Sequence, residues 1–192
     1  MISVRKFDEV QEHMRLAGGW EIFRRYLVMN AFDGLLSVFG VVMGAFLLEV
    51  TNPRQVIIPG LGAAIAIGVS GSWIAYLMEQ AENEREQRIL EQQILTNLDD
   101  SRIAKATHTA SIVNSIINGL SPLLFGSLTL VPFLFAELIP ITTAFYISFG
   151  LNASFLFILG LFLGNISEQN VWIFGVKTVF AGVVVAIFLY FL

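Results

Sequence analysis

Five long apolar runs constrain this chain more than any other feature. Each is close to the roughly 20 residues that a helix needs to cross the ~30 Å hydrocarbon core of a bilayer. They lie at about residues 26–50, 56–78, 109–138, 141–164 and 171–192. The third run is long and contains Pro122 and Pro132. Two crossings would need about 40 residues, so it reads as one tilted or kinked helix. Composition points the same way: 56% of residues are hydrophobic and 14% charged, against about 45–50% and about 25% in soluble domains. The excess apolar surface has to face lipid. The sequence therefore predicts an all-α integral membrane protein with five transmembrane helices per subunit. The first run begins only near residue 26 and no small-residue cleavage site follows it, so the first span is expected to be retained.

Basic residues orient the spans, because Lys and Arg near span ends favour the cytoplasmic side. Arg5, Lys6, Arg15, Arg24 and Arg25 precede the first span, and Arg85, Arg88, Arg102 and Lys105 lie between the second and third. The opposite side holds only Arg54. The N-terminus and the segment after the second span are expected inside, and the C-terminus outside. The chain has no cysteine, which excludes disulfides, thiolate zinc sites and iron–sulfur ligation. A net charge of −4 argues against nucleic acid as a partner.

Two regions outside the spans have recognisable patterns. Residues 1–25 are expected to form a cytoplasmic amphipathic helix, with Val4, Phe7, Val10, Met14 and Ala17 at helical spacing and Gly18-Gly19 at its end. It either lies on the inner leaflet, with Trp20, Phe23 and Tyr26 in the interfacial belt, or covers the mouth of the bundle. Residues 79–105 form the acidic segment of the 26–192 membrane domain and read as a helical extension of the second span. Within it Glu79, Glu82 and Glu86 fall within about 60° of one another on a helix. Like charges so placed repel unless a cation stands between them, which allows a metal-capture reading. The same helix also offers the ion pairs Glu84–Arg88 and Glu82–Arg85 of an ordinary solvated surface.

Polar groups inside the spans are costly, about 2.5–3.5 kcal/mol for a central Asp, and by default mark function. Asp33 lies about 10 Å along the first span. Asn30, Asp33, Ser37, Gly40 and Gly44 recur at spacings of 3, 4, 3 and 4, which makes a face that is polar at one end and small further on. Met29 stands one turn before Asp33, close enough to place a thioether beside the carboxylate, with packing against a neighbouring helix as the alternative role. The second span repeats Gly60, Ala64, Gly68 and Ser72, a pattern for close helix packing. The third carries Ser111, Asn114, Ser115 and Asn118 on a broad face, then Ser121-Pro122, where a carbonyl loses its donor. Freed carbonyls beside amides suit a cation path. Asn152 and Lys177 complete the set, Lys177 close enough to the inner surface to snorkel. Gly68-Val69-Ser70-Gly71 matches the G-x-S-G nucleophile motif of rhomboid proteases. That chemistry needs a histidine base from a late helix, whereas His13 and His108 are the only histidines.

Arg25 followed by Asn30-Ala31-Phe32-Asp33-Gly34-Leu35-Leu36-Ser37 resembles the first-helix signature of the vacuolar iron transporter family, which includes the yeast calcium-cross-complementer proteins. Ser115-Ile116-Ile117-Asn118-Gly119-Leu120-Ser121-Pro122-Leu123-Leu124 is similar to that family's third helix. Phe157-Ile158-Leu159-Gly160 and Lys177-Thr178 are similar to its last two. The resemblance covers about residues 20–192. In place of the Met and Glu that the family's second helix carries, this chain has Gly68 and Ser72. The short acidic segment fits a small prokaryotic member, with an archaeal source as one expectation.

The resemblance implies a homodimer of five-helix subunits in the lipid bilayer that moves Fe²⁺ or Mn²⁺ out of the cytoplasm in exchange for protons. The setting would be a prokaryotic plasma membrane, and there would be no enzymatic activity and no permanently bound cofactor. Asp33 would be the carboxylate of the path, with Asn30, Ser37, Met29, Asn114 and Asn118 along it. Glu79, Glu82 and Glu86 would collect metal. Two rival readings are a cation channel and a non-transporting protein in which Asp33 and Lys177 form a structural pair while the acidic helix docks a partner.

Overall fold

The computed structural model describes residues 11–12, 15, 19–94 and 102–192, with side chains in the last stretch from Lys105 onward. The amphipathic helix expected within residues 1–25 and the carboxylates Asp99 and Asp100 lie largely or wholly outside that description. Six helices make up the rest: α1 Gly19–Leu47, α2 Arg54–Ile94, α3 Arg102–Leu128, α4 Val131–Leu134, α5 Ile141–Ile166 and α6 Val171–Tyr190. All except α4 are long and apolar enough to cross a membrane, so the protein is an all-helical membrane protein with five candidate spans. At 41 residues α2 is about twice the length a bilayer needs, and its second half is the acidic extension. The apolar run that extends to residue 138 stops being a long helix at Leu128. Thr129 Oγ1 there donates to the Gly126 carbonyl at 2.7 Å, and the single turn α4 carries Pro132 as its second residue, a ring that suits a first turn and not an interior.

The helices fall into two compact units, one of residues 1–27 and 69–119, the other of 28–68 and 120–192. In the second unit Val38, Val42, Ala45, Val56, Ala64, Leu130, Phe133 and Phe145 form one buried cluster, and Ala31, Leu35, Leu156 and Leu159 another. Small residues set how closely these helices approach. A Cβ on Gly34 would run into the Pro122 backbone, and one on Gly126 would lie 2.9 Å from Val38 and 3.2 Å from the Gly34 carbonyl. The stripe expected on the second span packs in the same way: Ala64 is fully buried, and a Cβ on Gly60 would meet Leu130 at 2.8 Å. Asn152 Nδ2 donates 2.9 Å to the Leu35 carbonyl, a buried polar brace between α5 and α1. Thr178 donates to the Leu156 carbonyl at 2.8 Å, where Gly160 and Gly175 let α5 and α6 approach closely.

In the first unit α2 and α3 run antiparallel. Asn118 Nδ2 donates 2.7 Å to the Gly71 carbonyl, and Asn83 Nδ2 donates 2.7 Å to Ser111 Oγ. Ala75, Ala106 and Ala110 are buried. Their methyls allow the close approach that polar side chains need to meet across helices.

Candidate functional site

An α-helix turns 100° per residue, so residues four apart differ by 40° and residues three apart by 60° in the opposite sense. That difference divides the face predicted on α1. Met29 is 54% exposed, and Asp33, one turn on, is exposed beside it. Asn30 is turned inward and only 8% exposed, while Ser37 is half-buried. Along the same lane a Cβ on Gly40 would meet only Val185, at 4.0 Å, and one on Gly44 would meet nothing within 4 Å. The result is an apolar membrane helix with an exposed carboxylate and thioether, followed by an open groove of small residues.

Lys177 does not neutralise that carboxylate. It is exposed on α6 with Nζ 5.3 Å from the centre of the Phe174 ring, and it makes no ion pair with Asp33 among the described residues. The structural Asp33–Lys177 pair is therefore corrected to a cation–π contact one turn away on the same helix. A separate cavity between α1, α5 and α6 is too apolar to serve as a route for a hydrated ion. Its volume is about 500 Å³, it is lined by residues such as Phe39, Phe46, Phe149 and Val183, and its one amide, Asn152, already serves Leu35.

In the first unit the polar face of α3 meets one lane of α2. Glu79 is half-buried there, and its carboxylate accepts from Ser111 Oγ at 3.3 Å and from the Tyr26 phenol. Ser111 also receives the Asn83 amide and reaches the Thr107 carbonyl at 2.9 Å. Ser115 donates 2.6 Å to the Ser111 carbonyl. Asn114 is fully buried, and neither its Nδ2 nor its Oδ1 has a hydrogen-bond partner. Glu82 and Glu86 are exposed and do not join Glu79. No three His, Asp or Glu side chains converge on a metal position among the described residues. The surface pair Glu84–Arg88 does form, at 3.8 Å. Tyr26 and Asn83 were not singled out from sequence as site residues. Asn83 carries a legible signal, since Gly71, Ala75, Glu79 and Asn83 recur every fourth residue as a small-to-polar lane. Nothing in the sequence pairs Tyr26 with Glu79.

The sequence profile of the VIT family matches residues 24–98 and 97–192. An uncharacterized protein of Methanocaldococcus jannaschii is 38% identical over 166 residues, which cover 85% of this chain and 84% of that protein. No solved structure matches.

Proposed function

Because the chain belongs to the VIT family of membrane metal-ion transporters, we propose that it carries Fe²⁺ or Mn²⁺ out of the cytoplasm in exchange for protons. The observation that carries this reading is Asp33, an exposed carboxylate on an apolar membrane helix with no ion-pair partner among the described residues. Facing lipid it would cost about 2.5–3.5 kcal/mol, so the lane of α1 that bears it is better covered by protein. A second copy of the chain is the proposed cover, with the small residues Gly40 and Gly44 allowing close approach. Two symmetry-related Asp33 carboxylates then face each other, with a Met29 thioether beside each. That mixture of hard oxygen and softer sulfur favours Mn²⁺ and Fe²⁺ over Mg²⁺. Asn30 and Ser37 line the route at one remove, and the polar α3 face with Asn114 and Asn118 serves the exchanged species. Gly68 and Ser72 supply neither a thioether nor a carboxylate, so the metal is held chiefly by Asp33.

Glu79, Glu82 and Glu86 act in this scheme as separate negative charges that raise the local concentration of cations at the inner mouth. The metal sheds water as it enters between the carboxylates. Proton binding to Asp33 then releases it outward and lets the empty carrier return without a bare charge in the apolar core. Tracer uptake into proteoliposomes tests the proposal. Asp33→Asn removes the charge at nearly constant volume and is expected to abolish uptake of both ions, whereas wild-type uptake in that variant would refute the scheme.

A further inference from the structure

Asn114 is the one residue in the described structure whose buried amide nitrogen and oxygen both lack a protein partner. Leaving such groups unmade costs about 1–3 kcal/mol each, so a native fold satisfies them. The antiparallel register that joins Gly71 to Asn118 and Glu79 to Ser111 sets Ala75 opposite Asn114, and a methyl group can satisfy neither atom. A bare cation would suit Oδ1 but repel the Nδ2 hydrogens, whereas one water molecule both accepts from Nδ2 and donates to Oδ1. On either side of this position lie hydroxyls. Ser111 Oγ stands within hydrogen-bond reach of both Glu79 and the Thr107 carbonyl, and Ser115 Oγ lies one turn on, bonded to the Ser111 carbonyl.

We propose that Asn114 holds an internal water that joins Glu79 and Ser111 to Ser115 and Asn118 in one hydrogen-bonded lead, along which protons pass between Glu79 and the membrane interior. The amides of Asn114 and Asn118 position the chain. The hydroxyls and the water each accept one proton and hand on another, and the Glu79 carboxylate is the terminal donor or acceptor. Among the described residues the Tyr26 phenol faces Glu79, with the Arg25 guanidinium 5.6 Å from the centre of the Tyr26 ring. This inference rests on the proton exchange proposed above and names residues, besides Asp33, that carry protons to and from the membrane interior.

The test uses the full chain in proteoliposomes. X-ray hydroxyl-radical labelling reads hydration, and an interior pH dye reads proton movement during metal uptake. In wild type, the half-buried neighbours Val113 and Ile117 should be labelled well above the lipid-facing Phe180. Asn114→Leu should abolish that labelling and slow proton movement by at least about tenfold while Mn²⁺ binding is kept. Asn114→Ser, which keeps a polar group and leaves room for water, should retain most of the flux, and it stands in for wild type if the Leu variant folds poorly. Labelling of Val113 no higher than that of Phe180, or equal proton movement in wild type and Asn114→Leu, overturns the lead. If wild type moves no metal, the transport reading fails by itself. Metal-free proton flux under an imposed pH gradient then decides the lead: a flux that falls in Asn114→Leu supports it, and an equal flux rejects it.

Discussion

At Gly34 a single added methyl would have to enter space held by Pro122, whose carbonyl oxygen and Cβ stand 2.6 and 2.7 Å from the ideal Cβ position. Backbone cannot yield as a flexible side chain does. Gly34→Ala is therefore expected to destabilise the protein by about 1–3 kcal/mol, read as a lower thermal midpoint in detergent. The adjacent Asp33 behaves differently, because in the proposed pair of copies its carboxylate faces another carboxylate, so the residue is kept for transport and not for packing. Replacing it with Asn removes the cost of that charge and is expected to leave the thermal midpoint no lower than that of wild type while removing transport. Exchanging Asp33 and Lys177 for one another separates the rival reading further. A structural pair would survive the swap with its stability intact, and transport at the wild-type rate in that double variant would contradict the role given to Asp33. The Asp33-Gly34 dipeptide was legible in the sequence as a marked position. That one residue serves chemistry and the next the crossing with α3 was not, because close approach depends on where Pro122 lies in space.

Helix ends show which parts of an element a sequence reveals. α1 and α5 both close with a chain reversal in which an amide reaches back five residues, Val50 to Ala45 at 3.0 Å and Gln169 to Gly164 at 3.2 Å. The residue before each amide, Glu49 or Glu168, has φ of 52° or 53°, in the left-handed region where glycine is favoured. Glu168→Gly should relieve that strain and raise stability by about 1 kcal/mol at most, after allowing for glycine's greater freedom in the unfolded chain. A drop in thermal midpoint would show that the Glu168 side chain makes a compensating interaction. The five apolar runs gave the number and order of the spans because length and hydropathy decide them. The early end of α3 was hidden because residues 129–138 stay apolar while ceasing to be a long helix, and hydropathy does not distinguish a buried turn from a span. On α3 the polar lane from Ser111 to Asn118 was visible by spacing, but its partners on α2 depended on an antiparallel register that no single-helix pattern contains.

The whole molecule is proposed to work as a pair of copies, and the absence of cysteine makes that directly testable. Gly44→Cys, on the open lane of α1, is expected to form an intermolecular disulfide when native membranes are oxidised. Phe180→Cys, on α6 and 62% exposed, is the lipid-facing control and is expected to form no cross-link. Equal cross-linking at both positions would remove the argument that α1 is the covered face. Orientation follows from the same background: a thiol at Asn52 should react with an impermeant reagent from outside and one at Glu86 only from inside. Coupled metal movement through Asp33 can be read directly as Fe²⁺ and Mn²⁺ entry into proteoliposomes that enclose a metal-quenched dye, with and without a pH gradient, for wild type and Asp33→Ala. Quenching should grow with the gradient in wild type and be lost in the variant, whereas gradient-independent entry, or entry that persists without Asp33, would refute the coupled role of this carboxylate.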